Sequence, residues 1–429
     1  MPDSIEIHPL GHSVNGSITP PGSKSLTNRA LMIAAMTAGR SMLSGALDSD
    51  DTIAMLDSLQ RLGVKASHEA ANATMTVNGV GGDFPNKTAD LFIGNSGTSI
   101  RFLIAMLGFA GGKYKLDGIE RMHERPIGPL VDAIQSLGGG IAALSPNSCP
   151  PVQIDGQRIV GGGVTLSGSL SSQYLSGLLM ASPLAEETVT LQIDGPLISK
   201  PYVQMTCEVM KSFGVQVEAD EAANRFVIPA GQNYVATDYA IEPDASAASY
   251  FWAVPAILGG KATVHGLTED ALQGDVGFVR CLEKMGCDVE FGENSISVSG
   301  PAKHGIEIDM ADVSDTVQTL SAVALFVDGP TTVTNVAHNR VKETDRIGNL
   351  AIELRKFGVL VDEHPDGLTI HPGPLNGATI ETYDDHRMAM SLSLVGLKQQ
   401  GVTILNPGCV SKTYPNFFAD LKTFVETKA

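Results

Sequence analysis

Small polar motifs that carry Lys or Arg recur along the whole chain, although the protein is acidic, with a formal net charge of −18. The first motif is Pro21-Gly22-Ser23-Lys24, and later motifs contain Arg125, Arg346 and Lys412. Cations placed among Gly, Ser, Thr and Asn suit a small anion, because hydroxyls and amides can donate further hydrogen bonds to its oxygens. A nucleic acid would need a broadly basic surface, which this charge balance argues against. We therefore predict a site for small anionic ligands and no nucleic-acid partner.

Several motifs in the first half of the chain stand directly before apolar, helix-like runs. A helix N-terminus offers free N–H groups and the positive end of a dipole to an anion. The spacing places Arg29 one turn after Ser25 on the same helix face. For each motif the alternative is a capped helix start, with Lys24 solvated in the first motif, or a simple turn without a ligand. The candidates of this half are Lys24, Ser25, Arg29, Asn95, Gly97, Arg125, Ser171, Ser172, Gln173 and, more weakly, Ser199. The Ser171 motif begins at Ser169 and adds a third hydroxyl.

The second half of the chain combines cations with carboxylates. Lys342, Glu343, Asp345 and Arg346 place two cations and two carboxylates within five residues, and Asp385-His386-Arg387 precedes another apolar run. The alternatives are an exposed charged helix start for the first group and a helix N-cap for Asp385. Asp315 could likewise cap a helix, and Lys412 could be a solvated lysine.

The cysteines and the N-terminal residues indicate a reducing compartment. The five cysteines form no C-x-x-C pair, so we expect small buried side chains and neither a zinc site nor a disulfide framework. The N-terminus lacks the basic and apolar regions of a secretory signal. The apolar stretches are shorter than the roughly 20 residues that cross a bilayer. We predict a cytoplasmic protein with no membrane partner.

A helix-end pattern repeats along the chain. An apolar residue and a glycine close amphipathic runs at Gly63, Gly138, Gly214, Gly286 and Gly358, spaced 72 to 76 residues apart. A glycine after a helix suits the left-handed C′ position. In the first run, Asp50 and Asp51 are predicted to supply the cap, and Ile53 to lie on the apolar face. Strand-like runs follow, such as 215–217, and residues 421–425 resemble a sixth, truncated copy.

This repeat predicts an α/β protein with two similar domains, each of three α/β units. The midpoint falls near Pro243, which breaks the periodicity. The predicted domains are 23–241, and 1–22 together with 242–429. Neither half holds all the candidate residues, so we expect an active site in the cleft between domains, and closure of the domains on ligand.

Taken in order, the motifs resemble those of the 5-enolpyruvylshikimate-3-phosphate synthase family, a branch of the enolpyruvyl transferases. The matching stretches run from Pro21 to Lys412 and include PGSKSLTNR, LDSDD, GNSGTSIR, RPIGPLVDAI, SSQYLSGLLM, RVKETDR and DDHRMAMS. The resemblance implies an inside-out α/β barrel-like fold for each domain. It also implies transfer of the enolpyruvyl group of phosphoenolpyruvate to the 5-hydroxyl of shikimate 3-phosphate, with release of phosphate and no cofactor or metal.

The resemblance also implies roles for the candidate residues. Asp315 resembles the general base, Glu343 the proton donor to the methylene carbon, and Lys24 shares in catalysis. The implied shikimate 3-phosphate contacts are Lys24, Ser25, Arg29, Ser171, Ser172, Gln173, Ser199, Asp315 and Lys342. The implied phosphoenolpyruvate contacts are Lys24, Asn95, Gly97, Arg125, Gln173, Arg346, Arg387 and Lys412. Asp385 and His386 complete the site.

Two departures and two alternatives accompany this interpretation. His338 stands where the family often has Asn, and Phe102 stands where a smaller residue is common. One alternative is the sister reaction on UDP-N-acetylglucosamine, but the cysteine typical of that family is absent before Arg125. The other is a non-catalytic anion-binding protein. We further expect a monomer, inhibited by glyphosate at the phosphoenolpyruvate side.

Overall fold

The computed structural model describes residues 2–168, 171–220 and 222–426, so Ser169 of the hydroxyl motif lies outside the described residues. The chain divides into two compact units. The inserted unit is Gly22–Ile241, and the discontinuous unit joins Met1–Pro21 to Glu242–Ala429. Each unit is described by itself.

The helices are α1 (Lys24–Met36), α2 (Asp50–Arg61), α3 (Gly97–Ala110), α4 (Gly128–Ser136), α5 (Ser172–Ala181), α6 (Lys200–Ser212), α7 (Ala245–Leu258), α8 (Phe278–Lys284), α9 (Val317–Ala324), α10 (Gly348–Lys356), α11 (His386–Gly396) and α12 (Phe417–Glu426). The strands are β1 (Ser4–Ile7), β2 (Val14–Ile18), β3 (Ala38–Ser44), β4 (Lys65–Glu69), β5 (Thr74–Val80), β6 (Thr88–Phe92), β7 (Gly112–Asp117), β8 (Ile141–Ala143), β9 (Val152–Gly156), β10 (Gly162–Ser167), β11 (Val189–Asp194), β12 (Glu218–Asp220), β13 (Arg225–Ile228), β14 (Tyr239–Ala240), β15 (Gly260–His265), β16 (Asp288–Gly292), β17 (Ser295–Gly300), β18 (Glu307–Asp309), β19 (Thr331–Thr334), β20 (Leu360–His364), β21 (Gly367–His371), β22 (Thr379–Ile380) and β23 (Val402–Leu405).

The predicted repeat is visible in the sheets. In the sheet β6-β7-β9-β8 the first pair is parallel and the next two are antiparallel. The same pattern holds in β14-β3-β5-β4, β10-β11-β13-β12, β2-β15-β17-β16 and β18-β19-β21-β20. The sheet β1-β23-β22 has three strands, in which β22 and β23 are parallel and β1 is antiparallel to β23. Each unit therefore contains three of these sheets.

Three helices in each unit are buried on nearly every side. They are α1, α3 and α5 in the inserted unit, and α7, α9 and α11 in the discontinuous unit. Past their first turns these helices are apolar around most of the circumference, which is typical of buried helices. Helix α3 packs on both α1 and α5, and α11 packs on both α7 and α9. The core of each unit is thus built on a helix triplet, and the N-termini of these helices carry many of the candidate residues.

The helix-end glycines adopt the predicted conformation. At Gly63, Gly138, Gly214, Gly286 and Gly358 the φ angle lies between +86° and +94°, the region that glycine enters without a steric penalty. The apolar residue before each glycine is buried, so it anchors the helix end in the core. The left-handed C′ position predicted from the sequence is therefore confirmed at all five sites.

Several local predictions were wrong. Ser49, rather than Asp50 or Asp51, is the N-cap of α2, and its N–H donates to Thr52 Oγ1 at 3.1 Å. The two aspartates lie in the first turn, where their charge still suits the helix dipole. Ile53 is 37% exposed instead of lying on the buried face. After α6 the strand begins at Glu218, beyond the predicted 215–217.

The cysteines follow the prediction only in part. All five are free, and Cys149, Cys281 and Cys287 are buried, but Cys207 and Cys409 are half-buried. Among the described residues, none of the helices has the length and apolar character needed to cross a membrane.

Candidate active site

The N-terminus of α1 brings Lys24 to an acidic partner. Ser23 caps this helix by accepting the N–H of Leu26 at 3.4 Å. Lys24 is only 9% exposed, and its Nζ lies 3.7 Å from Oδ2 of Asp51, in the first turn of α2. The solvated lysine considered as an alternative is therefore wrong. Asp51, which the site prediction missed, holds the ammonium group in place.

Arg29 is embedded in polar contacts inside the same unit. Its Nε donates to Thr206 Oγ1 at 2.7 Å, and its Nη1 donates to the carbonyl of Ser25 at 2.9 Å. Its Nη2 donates to the carbonyl of Tyr202 at 3.2 Å. Burial lowers the pKa of Arg29 to about 10, which still leaves the side chain charged at neutral pH. Arg29 thus joins α1 to α6, the helix that Ser199 precedes.

Asn95, Gly97 and Arg125 lie together. Nη1 of Arg125 donates to the carbonyl of Asn95 at 2.9 Å and to its Oδ1 at 3.3 Å. A Cβ added at Gly97 would stand 2.2 Å from Nη2 of Arg125, far inside van der Waals contact. Gly97 is therefore required for the guanidinium group to lie against the backbone of the loop.

Arg101 connects this loop to the hydroxyl motif. Its Nη1 donates to Oε1 of Gln173 at 2.7 Å and to the carbonyl of Gly97 at 3.3 Å. Nε2 of Gln173 in turn donates to Thr98 Oγ1 at 3.1 Å. Ser171 caps α5, as considered in the alternative, and Ser172 is buried in its first turn. Arg101 was not among the predicted site residues, although its place one helical turn after Gly97 could have indicated it.

Ser199 occupies a distinctive position at the start of α6. Its backbone is left-handed, with φ at +52°, and its side chain is buried. Left-handed conformations of residues other than glycine are uncommon, so the surrounding structure must hold Ser199 in this one.

In the discontinuous unit, Arg346 is surrounded by three carboxylates, which we call the Arg346 cluster: Asp315, Glu343 and Asp385. Nε of Arg346 lies 2.7 Å from Asp385 Oδ2, Nη2 lies 2.8 Å from Glu343 Oε2, and Nη1 lies 3.2 Å from Asp315 Oδ1. Burial by itself would lower the pKa of Arg346, but the three carboxylates raise it above its ordinary value. The exposed charged helix start considered for this segment is wrong, since Arg346 and Glu343 are buried and α10 begins only at Gly348.

Three further cations border the Arg346 cluster. Arg387 donates through Nη2 to Asp315 Oδ2 at 2.8 Å, and Lys342 Nζ lies 4.0 Å from Asp315 Oδ1. Lys412 Nζ lies 3.9 Å from Glu343 Oε1 and is 6% exposed, so it is not a solvated lysine. Asp385 caps α11, as its alternative held, while it also binds Arg346, and His386 is buried beside it. Both predicted proton-transfer carboxylates thus contact several cations.

His338 and Asn339 both contact Ser314, the residue that precedes Asp315 of the Arg346 cluster. Nε2 of His338 lies 2.9 Å from Ser314 Oγ, and Nδ2 of Asn339 donates to the carbonyl of Ser314 at 2.9 Å. Burial, assisted by the charge of Lys342, lowers the pKa of His338 to about 4, so the imidazole is neutral near pH 7. His338, which stands where the family often has Asn, is therefore hydrogen-bonded to Ser314, the neighbour of Asp315.

Asp275 is a buried carboxyl that sequence analysis missed. Ser246 Oγ donates to its Oδ2, and burial raises its pKa to about 6, with Asp315 adding in the same direction. Only its tertiary surroundings distinguish Asp275 from an ordinary surface aspartate.

Asp275→Asn is expected to change the pH dependence of stability. The folded protein binds this proton more tightly than the unfolded chain, so ionisation lowers folded-state stability as pH rises from about 4 to 6. Asn removes that loss and can still accept from Ser246. The free energy of unfolding of the variant minus that of wild type should therefore be about 1 kcal/mol larger at pH 8 than at pH 5. Urea unfolding at both pH values measures it, with the exposed Asp312→Asn as the control. A pH-independent difference would contradict the assignment.

The inserted unit thus holds buried cations, and the discontinuous unit adds buried cations beside carboxylates, an arrangement that suits an enzyme acting on small anions. A sequence model of the EPSP synthase (3-phosphoshikimate 1-carboxyvinyltransferase) family matches residues 10–421. The 3-phosphoshikimate 1-carboxyvinyltransferase of Trichormus variabilis is 45% identical over 417 residues, 97% of this chain and 98% of that protein. The enzyme of the same name from Vibrio atlanticus is 46% identical over 424 residues, 98% of this chain and 99% of that protein.

Solved structures agree with the sequence relatives. An EPSP synthase from Acinetobacter baumannii superimposes with a TM-score of 0.82 at 27% identity, covering 98% of each chain. The chain belongs to the EPSP synthase family. The predicted family, α/β fold, enzyme class and enolpyruvyl transfer to shikimate 3-phosphate are confirmed, and the reaction on UDP-N-acetylglucosamine is not favoured.

Proposed function

We propose that the residues brought together in each unit carry out this transfer, with the roles that the sequence predicted. Lys24, Arg29, Ser25, Ser171, Ser172, Gln173 and Ser199 hold shikimate 3-phosphate, assisted by Asp315 and Lys342. Asn95, Gly97 and Arg125 hold phosphoenolpyruvate together with Lys24, Gln173, Arg346, Arg387 and Lys412. Arginine suits these roles because its planar donors match carboxylate and phosphate oxygens.

The observation that carries the proposal is the Arg346 cluster. The reaction needs one group to take the proton of the 5-hydroxyl as its oxygen bonds to C2 of phosphoenolpyruvate. It needs another group to protonate the methylene carbon and to recover that proton as phosphate leaves. Asp315 and Glu343 are two of the three carboxylates that share Arg346, and they lie 3.2 and 2.8 Å from it.

The same contacts suggest how substrate activates the carboxylates. Arg387 and Arg346 bind Asp315, while Lys412 lies near Glu343. An anionic substrate competes for these cations. A carboxylate that loses a cationic partner becomes a stronger base, because the positive charge no longer stabilises its ionised form. Substrate binding and proton transfer are therefore linked through the same side chains.

Phosphate release from phosphoenolpyruvate tests the proposal. Purified protein should release phosphate when shikimate 3-phosphate is the acceptor and not when UDP-N-acetylglucosamine replaces it. Release with the sugar nucleotide alone would overturn the acceptor. Ligand binding without release from either acceptor would instead support a non-catalytic anion-binding protein.

Gly97→Ala is expected to weaken inhibition by glyphosate about tenfold, roughly the effect of displacing one charge-assisted hydrogen bond. The new methyl group would overlap the guanidinium of Arg125, which stands 2.2 Å from the Cβ position, so Arg125 must move. The inhibition constant, measured against phosphoenolpyruvate, checks this. The control is Gly138→Ala, where a Cβ meets nothing within 4 Å, although the left-handed backbone adds strain there. Unchanged inhibition in the first variant would show that Arg125 does not contribute.

Further properties belong to the same proposal. We propose that the inserted and discontinuous units are the two predicted three-unit domains. We also propose a monomer that acts in the cytoplasm without metal or organic cofactor, binds glyphosate and does not bind nucleic acid. The net charge of −18 supports the last point, and the free cysteines suit a reducing compartment.

A further inference from the structure

Three non-glycine residues near the Arg346 cluster have left-handed backbones. The φ angles are +53° at Tyr383, +54° at Asp384 and +45° at Asn406. They follow the ends of β22 and β23, which run parallel and adjacent. Such conformations cost free energy for residues with a Cβ, and they persist only where the surrounding contacts maintain them.

Side chains join the two strand ends. Nδ2 of Asn406 donates to Oδ1 of Asp384, and Thr382 Oγ1 donates to the carbonyl of Leu405 at 3.1 Å. Tyr383 is held separately, because its hydroxyl donates to Oε1 of the buried Glu353 at 2.8 Å. The Asp384–Asn406 pair thus links the side chains of two left-handed residues, one from each corner.

A predicted phosphoenolpyruvate contact follows each corner. Asp384 precedes Asp385, the cap of α11, and Arg387 lies in the first turn of that helix. Asn406 is the N-cap of the 3₁₀ segment Pro407–Lys412, which ends at Lys412. Arg387 reaches Asp315 at 2.8 Å, and Lys412 stands 3.9 Å from Glu343. The two cations therefore approach the Arg346 cluster from segments that start at the linked corners.

We propose that the Asp384–Asn406 pair is a positioning device that fixes the spacing of Arg387 and Lys412 for phosphoenolpyruvate. This proposal rests on the proposed function, in which both cations contact that substrate. Neither Asp384 nor Asn406 needs to touch substrate for this role. The pair acts through the backbone, by holding two left-handed corners in one relative position. Loss of the bond should affect phosphoenolpyruvate more than shikimate 3-phosphate.

Asn406→Gly tests the pair without adding backbone strain, because glycine retains the left-handed conformation and removes the side chain that donates to Asp384. We expect the KM for phosphoenolpyruvate to rise about three- to tenfold, the range for one lost hydrogen bond, and the KM for shikimate 3-phosphate to stay within about twofold. The matched control is Asn224→Gly. Asn224 also has a left-handed backbone, with φ at +48°, and its Nδ2 donates to the carbonyl of Gly195 at 3.2 Å. Both KM values of this control should match wild type.

Exchanging the two side chains of the pair tests whether a restored hydrogen bond also restores the KM for phosphoenolpyruvate. Asn406→Asp alone places two carboxylates together and should raise the KM for phosphoenolpyruvate at least as much as Asn406→Gly. The double variant Asp384→Asn with Asn406→Asp restores one donor, one acceptor and the wild-type charge, so this KM should return to within about twofold of wild type. A purely structural role would lower the melting temperature without separating the two KM values.

The outcomes separate the two proposals. If wild type releases phosphate and Asn406→Gly has wild-type KM values, the positioning role is overturned while the function stands. Failure of the double variant to recover overturns the role in the same way. If wild-type protein releases no phosphate with shikimate 3-phosphate, the proposed function fails, and the positioning role fails with it.

Discussion

Glu343→Gln should lower kcat by about 10²- to 10⁴-fold, the usual contribution of general acid–base catalysis. Gln has almost the same shape, and its carbonyl oxygen can still accept from Arg346, which lies 2.8 Å from Glu343 Oε2. It cannot exchange a proton with the methylene carbon of the substrate. Single-turnover phosphate release would measure the loss. Calorimetric titration with shikimate 3-phosphate should show a Kd within about threefold of wild type, because Glu343 is not among the proposed contacts of that substrate.

The control for this variant is Glu363→Gln. Glu363 also accepts from an arginine in the same unit, at 2.9 Å from Nη2 of Arg340. Its side chain is more exposed than that of Glu343, and Arg340 is not a candidate site residue. Its kcat should be close to that of wild type. Full turnover by Glu343→Gln would exclude Glu343 as the proton donor and leave Lys24 or Lys412 to fill that role. Loss of binding together with turnover would instead indicate that Glu343 mainly organises the cations.

Arg346→Met should lower the free energy of unfolding by about 3–5 kcal/mol, besides abolishing activity. The substitution fills much of the same volume but leaves Asp385, Glu343 and Asp315 without the cation they share. Asp385 is fully buried and Glu343 nearly so, so water cannot replace the lost partner. Removing one member of a buried ionic group is costly because the remaining charges keep their desolvation penalty. Urea unfolding at neutral pH measures the change.

Arg280→Met is the matched control for stability. Arg280 also binds two carboxylates, Glu269 and Glu283, but its side chain is about half exposed. An exposed pair of this kind contributes up to about 1 kcal/mol. Equal losses in the two variants would show that burial of the Arg346 cluster does not determine its contribution. Partial recovery of Arg346→Met at acidic pH would support the explanation, since protonated carboxyls no longer need a cation.

The repeat architecture could be predicted because its information is local. Gly63 and its four counterparts must adopt a left-handed backbone to end their helices, and the sequence displays them at a regular spacing. The apolar helices that follow Ser23, Ser96 and Asp385 could be predicted for the same reason. Errors occurred where two local solutions compete, as at the N-terminus of α2, where Ser49 and the following aspartates are all good caps.

The candidate residues could be chosen from sequence, but their partners could not. Lys24 meets Asp51, and Arg29 meets Thr206, through contacts between helices far apart in the chain. Asp275 carries no local pattern, because its raised pKa comes from burial and from the charge of Asp315. Arg101 lies inside the GNSGTSIR motif, yet its hydrogen bond to Gln173 depends on how α3 packs against α5. Tertiary packing decides such pairings, and a single sequence does not record it.

The discontinuous unit has a consequence for folding on the ribosome. Its first strand, β1, pairs with β23 near the other end of the chain, and β2 pairs with β15 beyond the inserted unit. While the inserted unit can complete its sheets during synthesis, β1 and β2 must stay without their partner strands until β23 and β15 leave the exit tunnel. The late closure of such long loops makes the discontinuous unit the slower one to fold. The carboxylates of the Arg346 cluster belong to that unit, so a nascent chain assembles this cluster last.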